Sequence, residues 1–182
     1  MNELIYRLLK DIKSSDENVR GNAITDIALI LEMNTKKLSR SEREARYEGL
    51  INPDLLNVDL SDSDQVHITE ALEDEIIRFN ESTVSLLCAI GSASSKASLV
   101  ALLKIISNIS SRFDENMSYQ ALTSLERILF FDNNGLSEKE KSDIVSSFDP
   151  IPFIESQAVL SDRLDETAQR LLDGLHKMLQ KN

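Results

Sequence analysis

Apolar residues fall three and four positions apart along almost all of this chain, and three stretches repeat one spacing. Asp16, Val19, Ala23, Ile27 and Ile30 are matched step for step by Asp114, Met117, Ala121, Leu125 and Ile128. Ser161, Leu164, Ala168, Leu172 and Leu175 follow the same steps. A period between three and four puts these side chains on one face of an α-helix, and the leading Asp or Ser is a residue that caps a helix start. A strand would need alternation by two. Gly (5) and Pro (3) are scarce in 182 residues and aromatics make up 5%. This composition suits helices far better than a sheet sandwich.

The pattern predicts ten helical segments in a single domain over residues 1–182. The first runs from Asn2 to Lys13, with Leu4, Ile5, Leu8, Leu9 and Ile12 as its stripe. The second, capped at Ser15 or Asp16, reaches Met33 with Val19, Ala23, Ile27, Ile30 and Leu31 inward. So short a turn between them makes them antiparallel. A third spans Ser41 to Leu50, before Pro53; PDLLNVDLSDSDQ reads as loop. Helices follow at 65–79, with Val66, Leu72, Ile76, Ile77 and Phe79 as its apolar set, and at 82–90. GSASSKAS, Gly91 to Ser98, reads as a connector in which Ser95 is a cap. The strongly apolar 97–110 is the candidate central helix, and Asp114 opens the next, ended by the turn sequence DNNG at 132–135. Segments 137–148, 153–160 and 162–180 complete the set.

Asp16, Val19, Arg20 and Ala23 form a D-x-x-V-R-x-x-A pattern that resembles HEAT-type helical repeats, with Met117 and Ser118 replacing Val and Arg in a second copy. The resemblance is clearest at 2–33 and 97–132. It implies an all-α fold of stacked antiparallel hairpins, a HEAT/ARM-like right-handed solenoid of about eight or nine helices.

Charge is unevenly spread. The chain carries a net −11, which opposes direct binding to nucleic-acid phosphates and favours a basic partner. Between 54 and 81 lie nine acids against Arg78 alone, a local −8. The basic run just before it (Lys36, Lys37, Arg40, Arg43, Arg46) outweighs Glu42, Glu44 and Glu48. Two readings stand open: a solvated surface whose acids favour a helix N-terminus, or a docking surface formed by Asp59, Asp62, Asp64, Glu70, Glu73 and Asp74. A calcium loop from Asp59 to Glu70 fits poorly, because Ser61 and Ser63 take ligand places and Asp64 stands where the turn needs Gly.

Catalytic and cofactor chemistry leave no signature. His67 and His176 have no partner at metal-binding spacing, and no phosphate-loop motif occurs. Cys88, the only cysteine, is expected as a small buried hydrophobe. The opening MNELIYRLLKDIK lacks the uninterrupted apolar region of a signal peptide, and no run is long enough to span a membrane, so a cytoplasmic protein is expected. Alkylpurine-type DNA glycosylases are also HEAT-like, but the resemblance implies a basic face and tryptophan; this chain is acidic and has no Trp.

What remains is an interaction protein that is not an enzyme and needs no cofactor or metal. Small, acidic, all-helical chains of this kind are similar to the immunity proteins of bacterial toxin systems, including contact-dependent growth inhibition. That resemblance implies a basic protein partner, a nuclease toxin C-terminal domain whose active site or nucleic-acid groove is masked. Binding would use the acidic 54–81 segment or the inner faces of helices 16–33 and 114–131. The competing expectation is a HEAT-like adaptor or assembly scaffold.

Overall fold

In a computed structural model that describes residues 2–131 and 135–180, the chain is all-helical, with no strand among the described residues. Ten α-helices form: α1 (Glu3–Asp11), α2 (Glu17–Thr35), α3 (Arg40–Tyr47), α4 (Asp62–Arg78), α5 (Thr83–Ala93), α6 (Lys96–Ile109), α7 (Glu115–Glu126), α8 (Glu138–Phe148), α9 (Ile151–Ala158) and α10 (Asp162–Gln180). Each has a counterpart among the segments marked in the sequence, and the count exceeds the eight or nine of the solenoid expectation. The segment read as loop after α3 adds a 3-10 turn, Pro53–Asn57, that buries Leu55 and Leu56. The DNNG turn falls largely on residues outside those described.

Several consecutive helices pack on one another. α1 packs on α2, α4 on α5, α6 on α7, and α9 on α10. The second members form a continuous layer in the order α2, α5, α7, α10, while α4, α6 and α8 adjoin on the other side. Named bonds fix the directions. Arg20, near the start of α2, donates to Ser82 Oγ (2.9 Å) just before α5 begins. Thr35, at the far end of α2, donates to the carbonyls of Ser92 and Ala93 at the end of α5. Those two helices therefore run parallel. Likewise Ser161 Oγ donates to Glu115 (2.9 Å) at one end of α7 and α10, and Arg170 donates to Glu126 (3.0 Å) towards the other.

One core cluster extends from Ile5 to Met178. Its centre is α5, which touches α2, α4, α6 and α7; the expected central helix, now α6, lies to one side. α5 also continues through Ala93, so the expected connector shrinks to Ser94 and Ser95. Small residues there serve packing. A Cβ on Gly91 would lie 2.4 Å from Ser124 Oγ, so this glycine lets α5 and α7 meet backbone to side chain. Gly174 does the same between α10 and the Phe130 ring, which projects from a π-type turn, Arg127–Phe131, that ends α7.

Several stripes differ from the sequence expectation. Val19 is 41% exposed at the edge of the α2 stripe; beside it Arg20 is buried, bonded to Ser14 O (2.8 Å), Ser82 and Glu81. Val66 and Ile77 are exposed on the outer side of α4, and Phe79 leaves the helix as its left-handed cap. α4 starts at Asp62, earlier than expected, because Ser61 and Asp64 close a capping box. Pro152 sits in the first turn of α9, where its missing N–H costs no helical bond. Cys88 is exposed on the strip of α5 that its neighbours leave uncovered, although partial burial still pushes its thiol pKa up.

Candidate protein-binding surface

The six acids singled out in the sequence divide among several environments. α4 turns about 100° per residue, so Asp62, Glu70, Glu73 and Asp74 fall within an arc of about 120°, and Asp64 lies well away from them. Asp62, Glu70 and Asp74 are exposed and form no ion pair among the described residues. Val66 and Ile77 stand beside them, 40% and 41% exposed. This side of α4 therefore combines unpaired carboxylates with exposed aliphatic groups.

The other three acids have local partners. Asp59, with its side chain 88% exposed, accepts from Arg43 Nη2 at 2.9 Å. Arg43 itself is buried. Its Nε donates to Leu38 O (2.9 Å), and its Nη1 to Leu56 O (3.2 Å) and Val58 O (2.9 Å). The guanidinium thus fastens the 3-10 turn to α3, and Asp59 supplies its counter-charge. Asp64 accepts from the Ser61 hydroxyl (2.7 Å) and backbone N–H (3.1 Å), and these bonds hold its pKa below the usual carboxylate range. Glu73 points toward α6, with Nζ of Lys104 4.0 Å from its carboxylate; burial pushes its pKa up, and Lys104 opposes the shift only in part.

Two further acids of the 54–81 run are also engaged. Glu81 pairs with Arg20, and Glu75 is buried in contact with Arg78 at 2.7 Å. The run is one block in sequence but not in space. Helical periodicity sends Glu75 inward, and two arginines far away in sequence neutralise its ends. No short-range pattern announced those pairings.

The layer of second helices carries mixed charge instead. Glu32 pairs with Lys36, with Arg46 at 3.9 Å. Burial raises its pKa, but the Lys36 bond and the charges of Lys36, Arg127 and Arg46 outweigh this and lower it overall. Arg170 joins Glu126 and Glu166, and Arg163 lies 3.7 Å from the centre of the Tyr119 ring. On the outer side of α4, by contrast, Asp62, Glu70 and Asp74 stand together without an ion pair among the described residues.

A groove of about 320 Å³ separates α4 from α6, lined by Val66, Thr69, Ala97, Val100 and Ala101. Glu70 and Glu73 border it on the α4 side and Lys96 and Lys104 on the α6 side. Among the described residues no three His, Cys, Asp or Glu converge to hold a metal ion. Nor is any described helix long and apolar enough to cross a membrane. His67 is exposed, its Nδ1 2.7 Å from Ser63 O, and His176 is exposed on α10. Comparison of the chain with protein-family models, curated proteins and solved structures finds no match.

Proposed function

We propose that this chain is a binding protein that neutralises a basic partner, as an immunity protein neutralises the nuclease domain of a bacterial toxin, with its hairpins stacked as a HEAT-like, right-handed solenoid. The observation that carries the reading is the outer side of α4, where Asp62, Glu70 and Asp74 are exposed and unpaired among the described residues beside Val66 and Ile77. Unpaired carboxylates on a chain of net charge −11 speed encounter with a cationic protein and reject acidic ones. Adjacent aliphatic groups supply the desolvated contact that dominates affinity. A stable complex of this kind buries on the order of 1,600 Å².

The test is affinity capture from the source cells, followed by association kinetics with Asp62→Lys, Glu70→Lys and Asp74→Lys combined. The reading expects association with the captured partner to slow at least tenfold at low salt, with the thermal midpoint nearly unchanged. Unaltered association removes this face from the mechanism. A captured partner that is neither basic nor toxic to the cell places the chain among adaptors and scaffolds instead.

A further inference from the structure

The groove between α4 and α6 narrows the kind of partner. The two helices run parallel, since their first turns (Asp62, Gln65 and Val66; Lys96 and Ala97) line one cleft while Glu73 and Lys104 meet further along. From Val66 to Glu73 is seven residues, as is Ala97 to Lys104, so the groove stays in register for about two turns, roughly 10 Å. Its floor is Thr69, Ala97, Val100 and Ala101, small or aliphatic groups at helical spacing.

We propose that this groove seats an amphipathic helix of the partner protein, with an apolar ridge on the floor, basic residues along its α4 edge and acidic residues along its α6 edge. This rests on the binding role proposed above and specifies the partner's contacting element. A helix is the fitting shape because its ridges enter the furrow between two helices. An extended segment gains little, because backbone groups within α4 and α6 are already bonded along each helix and offer no sheet edge. Charge sets the edges. Glu70 on one side and Lys96 on the other are unpaired among the described residues, while Glu73 and Lys104 pair with each other at 4.0 Å at the far end. A uniformly basic surface would set like charge against Lys96 and Lys104, an arrangement that is unfavourable when desolvated.

The experiment uses three synthetic amidated helices that share one leucine ridge. One has lysines on both flanks, one has glutamates on both, and one has lysines on one flank and glutamates on the other. Binding to the intact protein is measured by calorimetry and located by methyl NMR shifts of Val66, Ala97, Val100 and Ala101. The mixed helix is expected to bind at least tenfold tighter than either uniform one and to shift those four methyl groups. Lys96→Glu is expected to reverse the ranking of the mixed and all-lysine helices. Val100→Asp is expected to abolish the shifts, with circular dichroism reporting the intact fold. Preference for the all-lysine helix, shifts located elsewhere, or no binding of any probe overturns the groove proposal. The first of these results leaves the acidic-face reading standing. That reading fails separately, if the charge reversals on α4 leave association with the captured partner unchanged.

Discussion

At the scale of single residues, two helical glycines have opposite roles. Gly91 has no room for a side chain: a Cβ there would also lie 3.2 Å from the Ser124 Cα. Gly91→Ala should therefore destabilise the protein by about 1–3 kcal/mol. Gly21, inside α2, has nothing within 4 Å of the same position. Gly21→Ala should stabilise by about 0.5–1 kcal/mol through a less mobile unfolded chain and better helix propensity. Denaturant titration of the two variants, with opposite shifts of midpoint, checks both. Arg43 and Asp59 form an unequal pair. Arg43→Ala removes the donor to the carbonyls of Leu38 and Leu56, leaves Val58 O to Asn34 Nδ2 alone, and should cost about 3 kcal/mol. Asp59→Asn removes only an exposed partner and should cost about 0.5 kcal/mol or less. Residue-level placement was the least legible part of the sequence. Periodicity assigned Val19 to the core, whereas Arg20 beside it is the buried one, because Ser14, Glu81 and Ser82 meet its guanidinium from two separate turns. Cys88 sits within an apolar run, and only the positions of four other helices decide that its strip of α5 stays open.

At the scale of elements, two serine-capped helix starts were legible, at Ser95 and Ser137, whereas those at Ser61 and Ser39 were expected to begin later. All four serines close a capping box. Three of these boxes end in an acid: Glu42, Asp64 and Glu140. In each the serine's bonds to the carboxylate hold its pKa below the ordinary value. The sign follows directly. A depressed folded pKa adds stability above the unfolded value, near 4, and that stability is lost as pH falls through the depressed one. Thermal midpoints should thus drop on acidification below about pH 4, and Asp64→Asn should flatten that slope. Glu73 and Asp26 run the other way, because burial raises both. Their charged forms are penalised by folding at neutral pH, and the penalty is relieved as pH falls through their raised values. Helix ends were harder to read than starts. GSASS looks like a connector in sequence because glycine and serine favour turns, but the closeness of α7 is what requires a glycine at Gly91, and α5 runs on.

At the scale of the whole molecule, the order of packing predicts the order of opening. α5 lies among α2, α4, α6 and α7, whereas α3 leans chiefly on the 3-10 turn. Amide hydrogens of Leu86 to Ile90 should exchange slowest, close to the limit set by global unfolding, and those of α3 orders of magnitude faster. Exchange measured by NMR tests this; equal protection of α3 and α5 contradicts it. The all-helical class was legible from spacing alone, since local periodicity dictates it. The proposed binding surface was legible only in outline. A run of nine acids marked α4, but three-dimensional pairing with Arg20, Arg43 and Lys104 decides which carboxylates stay available, and those partners come from other helices.

The bonds that hold α2 against α5 at both ends have an implication for insertions. With Arg20 at Ser82 and Thr35 at Ser92 and Ala93, the two helices are fastened like a strip clipped at both edges. One extra codon between Ser82 and Ala93 would swing the rest of α5 by about 100° and release a clip whichever end held. An extra codon at Gly49 or Leu50, in the exposed turn after α3, would disturb neither clip. The gene should therefore tolerate lengthening at that turn and resist it inside α5, a contrast that an insertion library scored by soluble expression would reveal.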